Sequence, residues 1–387
     1  MEGAETLAPA PEPPAAIARG AARPLRVLVV ASSLDALGGQ SIQADLIVRR
    51  LREEPSLEMS FQPINPRWPA VLRPLQRVRY LRTLPTLALY CLQLFAAIRK
   101  CDVVHVFSAS YFSFVLAPGP ALLIARLLHK RLILNYHSGE AEDHLTRWPS
   151  AVRMLRRADR IVVPSDYLRD VFGRFGFSTR VVHNAVDLGA FRFRARDEPR
   201  PAFLVNRGFQ GLYNVACVLR AFARIQGRLP HATLTVAGDG PLREELTRLA
   251  TDLGLRNTRF VGRVPPERVP ALYDEHDVWL NGSEVDNMPL SILEAHASGV
   301  AVVSTNPGGI PYLVQDGLTG RLVECGDDAG LAQAALEVVG DAALFARLTR
   351  NGRERCASYA WDRVRQGWIG AYADLAPAGT VLYSSPT

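Results

Sequence analysis

Short, continuous apolar runs alternate along this chain with longer stretches of helical period. "LRVLVVASS" (25–33), "DVVHVFSAS" (102–110), "RLILNYH" (131–137) and "RIVVPS" (160–165) read as strands buried on both faces. The first run leads into "LDALGGQSIQADLIVRRL", a glycine turn opening a helix, and helical stretches separate the others. Strands that alternate with helices imply a parallel sheet covered on both faces.

A polar, arginine-rich break, "RFRARDEPRP" (192–201), interrupts the pattern and reads as a linker. The alternation then restarts. "AFLVNR", "ATLTVAG", "TRFVG", "DVWLNGS", "VAVVSTN" and "GRLVE" are strand candidates, and "NVACVLRAFARIQ", "PLREELTRLATDLG", "VPALYDEH" and "LSILEAHASG" are helix candidates. No short-period repeat is visible. The pattern predicts an α/β fold of two doubly wound domains in tandem. Ligands of such sheets bind beyond the carboxyl ends of the strands, so two facing domains create a cleft.

Composition narrows this picture. The 387 residues exceed one ordinary core and suit two domains. Hydrophobic residues make up 48%, which supplies large cores, and the net charge of +7 favours anionic partners without choosing among phosphate, nucleic acid and lipid. The only lysines are Lys100 and Lys130, so arginine must do most phosphate binding. The cysteines (Cys91, Cys101, Cys217, Cys325 and Cys356) are odd in number and form no C-x-x-C. A reducing, cytoplasmic compartment is therefore expected. Residues 1–24, rich in Ala and Pro, read as a disordered tail without a signal-peptide core.

"DNMPLSILEAHASG" (286–299) brackets the start of an apolar helix with two acids, Asp286 and Glu294. Pro289 suits a first helical turn, which puts the N-cap near Asn287 or Met288. The free amides and dipole of that end favour an anion. One carboxylate could then hold a ribose diol and the other a second polar group. The plainer reading is a dipole-offsetting Asp and an exposed helix Glu. "STNPGGIPYLV" follows the next strand, and Gly308 and Gly309 offer a second backbone approach to phosphate, or only a tight turn.

Together, "SEVDNMPLSILEAHASGVAVVSTNPGGIPYLVQDGLTGRLVECGD", "VAGDGPLREEL", "RFVGRVPPERVPALYDEHDVWLNGS" and "VVHNAVDLGAF" resemble retaining glycosyltransferase family 4, of the GT-B fold. The likeness runs through most of 24–375. It implies a first Rossmann-like, acceptor-side domain over 25–195 and a donor nucleotide-binding domain over 196–358. A helix over 359–375 would cross back to the first domain, and a tail would follow over 376–387. By the same resemblance Glu294 binds ribose and Asp286, where that family usually has Glu, contacts the sugar. Asn287, Met288, Leu290 and Ser291 offer amides to the diphosphate or sugar. Gly39 and Gly309 approach the donor phosphates, His137 sits over the donor sugar, and Arg263 and Val264 lie near the base. Arg207 stands where the family has its phosphate arginine. Two positions depart from the pattern: Leu212 stands where the family has a lysine, and Tyr312 where Glu is common.

The implied activity is retaining, metal-independent transfer of a sugar from a nucleoside diphosphate to an acceptor hydroxyl. The acceptor is expected to be a lipid-linked or cell-envelope glycan. No cofactor beyond the donor substrate is implied. A nucleotide-sugar epimerase of the same architecture and a catalytically silent membrane scaffold are the alternatives. "HSGEAEDH" (137–144) has metal-ligating residue types, but its spacing matches no metal motif. Neither glycine-rich turn completes G-x-G-x-x-G, which argues against a nicotinamide enzyme.

No acid occurs between Glu58 and Asp102, whereas Arg67, Arg73, Arg77, Arg79, Arg82, Arg99 and Lys100 do, among aromatic and apolar residues. Such a segment can rest on an anionic membrane from the cytoplasmic side, or it can be a core helix with a solvated basic end. The run 83–98 falls short of the roughly 20 residues that span a bilayer. Nucleic-acid binding is not expected, because no recognised module accompanies the charge.

Overall fold

A computed structural model of the chain describes residues 23–33, 38–66, 83–108, 110–378 and 380. The expected tail over 1–24 lies outside the described residues except for Arg23 and Pro24, and so do the arginines from Arg67 to Arg82.

The described residues form two six-stranded, wholly parallel sheets. The first comprises β1 (Leu25–Ala31), β2 (Leu57–Pro63), β3 (Val103–Ser108), β4 (Arg131–Tyr136), β5 (Arg160–Val163) and β6 (Arg180–Val181), in the order β2-β1-β3-β4-β5-β6. The second comprises β7 (Ala202–Asn206), β8 (Thr233–Ala237), β9 (Thr258–Gly262), β10 (Val278–Asn281), β11 (Ala301–Thr305) and β12 (Arg321–Val323), in the order β12-β11-β10-β7-β8-β9. Strand order reverses between β1 and β3 in one sheet and between β7 and β10 in the other. Those two switch points are where a parallel sheet opens a ligand crevice.

The central strands are continuous apolar runs because helices cover both faces; β1, β3 and β10 are almost entirely buried. His105 is the exception in the middle of β3. It is fully buried, but its Nδ1 lies 2.8 Å from Tyr372 Oη and its Nε2 3.1 Å from Asn135 Nδ2. Its polar atoms are therefore satisfied, as burial demands. Tyr372 belongs to the helix Trp361–Ala373. That helix packs Trp361, Val364, Trp368, Ile369 and Tyr372 into one core cluster with Val27 and Val29 of β1. The last helix thus returns to the first sheet after the chain has built the second.

The polar break between the sheets is firmly tied. Arg194, Arg196 and Arg200 converge on Asp277, whose side chain is 1% exposed. Burial alone would raise the Asp277 carboxyl, but the hydrogen bonds and charges of these arginines hold it below the ordinary carboxylate range.

Candidate active site

The loops at the carboxyl ends of both sheets enclose a cavity of about 610 Å³. Gly39, His137, Arg207, Arg263, Val264, Asp286, Asn287, Met288, Leu290, Ser291 and Glu294 all line it. The first two come from the first sheet and the rest from the second, so residues far apart in sequence share one space.

The helix Leu290–Ser298 aims its amino end at this cavity. Pro289 is the N-cap itself, with φ −67° and ψ 125°, one position later than the helix signals suggest. Gly299 closes the helix in the left-handed region, φ 70°, and a Cβ there would meet the Arg194 carbonyl at 2.7 Å. Asp286, Asn287 and Met288 therefore form a loop in front of the helix. Across the cleft, Asn184 Nδ2 donates to the Met288 carbonyl at 2.9 Å, and the Ser165 hydroxyl donates to Asn287 Oδ1.

Glu294 lies in the second turn, at the cavity wall. The Tyr273 hydroxyl donates to Glu294 Oε2 at 3.0 Å. Asn206 Nδ2 donates to that hydroxyl at 2.9 Å, and Trp279 Nε1 donates to Asn206 Oδ1 at 2.6 Å. This relay, from β7, β10 and the helix Val269–Asp274, fixes the carboxylate. Burial raises the Glu294 carboxyl to about 7, although the bond from Tyr273 and the charge of Arg207 both pull it down. Asn206, Tyr273 and Trp279 were not singled out by sequence reasoning. No sequence signal marks them as a set: Asn206 ends β7, Trp279 lies in β10, and Tyr273 lies in the helix Val269–Asp274.

Arg207 follows β7 directly. Its guanidinium pairs with Asp286, and the two side chains are only 10% and 11% exposed. Nη1 donates to the Ser291 hydroxyl at 3.2 Å, and Nη2 to the Ser283 hydroxyl at 3.4 Å. One face of the guanidinium lies 4.1 Å from the centre of the Tyr213 ring. Leu212, in the position expected to hold a lysine, also lines the cavity. Its carbonyl accepts from Glu284 N at 2.9 Å and from Val285 N at 3.4 Å, which binds this turn to the loop carrying Asp286.

From the first domain, His137 stacks on Phe107 with ring centres 5.0 Å apart. Burial pushes the imidazole down to about 3, so it is neutral near pH 7. Its Nε2 is buried and has no hydrogen-bond partner among the described residues. Gly139 brings the same loop against the other domain: a Cβ there would lie 3.1 Å from the Asp286 carbonyl carbon. Arg263 is exposed at the rim, after β9.

The structure places Gly309 differently from the phosphate-approaching role expected of it. It is buried behind the Asp286–Asn287 loop, outside the cavity lining. Its amide donates to the Asp286 carbonyl at 3.1 Å, and a Cβ would fall 1.9 Å from the Asn287 carbonyl oxygen. The glycine pair backs the Asp286–Asn287 loop from the rear. Tyr312 faces the first domain, where its hydroxyl donates to Asp170 Oδ2 at 3.0 Å. His144, in the stretch with metal-ligating residue types, is buried with Nδ1 2.8 Å from Tyr136 Oη. Among the described residues no three His, Cys, Asp or Glu side chains are grouped to hold a metal ion.

Arg207, the amino end of the helix Leu290–Ser298, Glu294 and a neutral His137 all face a single cavity. Residues 26–190 match the family model described as Glycosyltransferase Family 4, and residues 190–355 match Glycosyl transferases group 1. A glycogen synthase of Mycobacterium tuberculosis is 31% identical over 289 residues, covering 70% of this chain and 68% of that protein. A GDP-mannose-dependent alpha-(1-6)-phosphatidylinositol monomannoside mannosyltransferase of Mycolicibacterium smegmatis is 28% identical over 266 residues, 61% of this chain and 69% of that one. The Anabaena protein HepE, solved in complex with UDP-glucose, superposes with a TM-score of 0.73 at 17% identity, over 90% of this chain and 100% of that chain. The chain therefore belongs to the glycosyltransferases of the GT-B fold, its first domain of the Family 4 type and its second of group 1.

Proposed function

We propose that the protein transfers a sugar from a nucleoside diphosphate to an acceptor hydroxyl, with retention of configuration and without a metal or other cofactor. The convergence of Arg207, the amino end of helix Leu290–Ser298 and Glu294 on one cavity carries this reading. Glu294 would accept the ribose hydroxyls. Arg207 and the helix amides would meet the charge that grows on the departing diphosphate, which is preorganised electrostatic catalysis. His137, neutral and with a free Nε2, would bond a hydroxyl of the transferred sugar. Asp286 is held by Arg207, so a same-face departure and attack fits better than a covalent step on that carboxylate.

The acceptor we propose is a lipid-linked or cell-envelope glycan reached at an anionic membrane surface, on the cytoplasmic side. The basic stretch expected to make that contact lies mostly outside the described residues. A neighbouring surface supports the reading. Helices Thr83–Ile98, Tyr111–Leu116 and Pro118–Leu127 expose Leu84 (77%), Leu92 (71%), Phe112 (73%) and Leu127 (68%). From Glu58 to Glu140 the only acid is Asp102, which is buried and paired with Arg23 and Arg26. The same helices carry or lead into Arg99, Lys100, Arg126 and Lys130, and apolar side chains together with basic ones suit an anionic lipid surface. Among the described residues no single helix is long and apolar enough to cross a membrane.

The test is a thermal-shift panel of nucleotide-sugars, followed by NMR of the product anomer. One donor should stabilise the protein, because a ligand that binds only the native state raises its stability. The product should keep the donor's anomeric configuration and form only with release of nucleoside diphosphate. An inverted product contradicts retention, and isomerised donor without acceptor-dependent release points to an epimerase.

A further inference from the structure

We propose that Tyr213 is a positioning residue that compensates for the missing lysine at position 212, by holding Arg207 with its aromatic face where a donor diphosphate must lie. The inference rests on the donor-binding reading above and extends it to a residue outside the family pattern.

The cavity is poor in positive charge. Among the described residues Arg207 and Arg263 are its only Lys or Arg lining residues, against Glu140, Asp239, Asp286 and Glu294. Arg263 is exposed at the rim, so one enclosed cation must meet a group carrying at least two negative charges. Where that cation stands then matters more than it would with two. Its hydrogen-bonding edges cannot fix it alone, because Asp286 and an arriving phosphate compete for the same N–H groups. A ring face can: cation–π attraction acts on the guanidinium plane and leaves every N–H free. The separation of 4.1 Å is well within the range of that attraction, and enclosure strengthens it.

The chain around Tyr213 is built to keep the ring there. Gly208 leaves room for it, since a Cβ would stand 3.3 Å from Tyr213 Cε2. Asn214 adopts φ 37°, in the left-handed region, and turns the chain from the 3-10 turn Gly211–Tyr213 into the helix Val215–Arg228. The Asn214 side chain accepts from Cys217 N at 3.1 Å and donates to Glu284 Oε1 at 2.8 Å. The preceding Leu212 carbonyl holds Glu284 N. Tyr213 and the Asp286 loop are thus fixed to one another, with the arginine between them.

The test replaces Tyr213 by Phe and then by mono-, di- and trifluorophenylalanine, which keep the shape and drain the ring face of negative charge. Binding of UDP, GDP and ADP, and of the matching nucleosides, is measured by titration. Phe should bind the preferred diphosphate within about threefold of the parent. Affinity should fall stepwise across the fluorinated series, to about tenfold weaker or more for the trifluoro variant. The nucleoside should be unaffected. In Tyr213→Leu, adding Leu212→Lys should restore diphosphate binding. A flat fluorination series, or equal losses for diphosphate and nucleoside, overturns the inference while leaving the donor reading standing. A parent protein that binds none of the three diphosphates overturns the donor reading, and this inference with it.

Discussion

Arg207 and Asp286 are paired inside the cleft, both nearly out of water. The pair has two consequences. It lets a cation wait in a low-dielectric site without a ligand, since an unpaired charge there would be costly. On the proposed donor site it would also make Asp286 a competitor of the donor phosphates. Asp286→Asn should therefore tighten binding of nucleoside diphosphate by about tenfold, equivalent to about 1.4 kcal/mol. Turnover of the intact donor should fall, because the sugar loses its carboxylate. Titration calorimetry and initial rates separate the two effects; weaker diphosphate binding would refute the competition.

Arg207→Ala removes the enclosed cation altogether. The rate should drop more than about a hundredfold, the scale of other preorganised transition-state contacts. The same assay in EDTA should proceed unchanged. Activity lost to EDTA and restored by magnesium or manganese would show that a metal carries the leaving-group charge.

Glu294 gives the site a pH dependence. Burial raises its carboxyl to about 7, above the ordinary value of 4.5, so it is partly protonated near neutrality. Two ribose hydroxyls need the ionised form as acceptor. Nucleoside affinity should therefore weaken as pH falls from 8 to 6. Glu294→Gln should bind about 1–3 kcal/mol more weakly at pH 8 and lose that dependence. The stability sign is opposite: the native state binds more protons than the unfolded chain between about 4.5 and 7, so Glu294 disfavours folding as pH rises through that window. Tyr273→Phe deletes the donor to Oε2 and should move the midpoint of the binding profile upward.

Tyr372 ties the last helix to β3 through His105. Tyr372→Phe leaves a fully buried imidazole nitrogen without that partner. Urea unfolding should report a loss of about 1–3 kcal/mol. No loss would mean that the bond is not needed to dock the returning helix.

The apolar surface of the first domain should bind vesicles containing anionic lipid and bind neutral ones much less, with salt weakening the contact. Leu92→Glu with Leu127→Glu, far from the cavity lining, should abolish flotation and leave nucleotide binding intact. Equal flotation of variant and parent would assign these side chains no role at a membrane.

Both sheets were readable because their central strands are unbroken apolar runs, which few other elements imitate. The edges were not. β2 is "LEMSFQP", with polar residues facing out, and β6 is two residues long, so neither gives a run. The Asp286 to Glu294 segment was legible because proline, acids and a closing glycine mark a helix start within one stretch. The relay behind it was not, because Asn206, Tyr273 and Trp279 meet only when β7 and β10 become neighbours. Gly309 was misplaced for a related reason. A glycine pair after a strand signals close backbone approach, and here the approaching backbone is the protein's own. Tyr213 hid beside the absent lysine, since nothing in the sequence tells which way an aromatic ring faces.

The most direct measurement is calorimetric titration of the parent, Arg207→Ala and Glu294→Gln with the preferred nucleoside diphosphate and with its nucleoside. The parent should bind one diphosphate per chain. Arg207→Ala should lose most affinity for the diphosphate and little for the nucleoside, whereas Glu294→Gln should lose affinity for both. A parent that binds neither, or two variants that bind both ligands as the parent does, would contradict a donor site built on these residues.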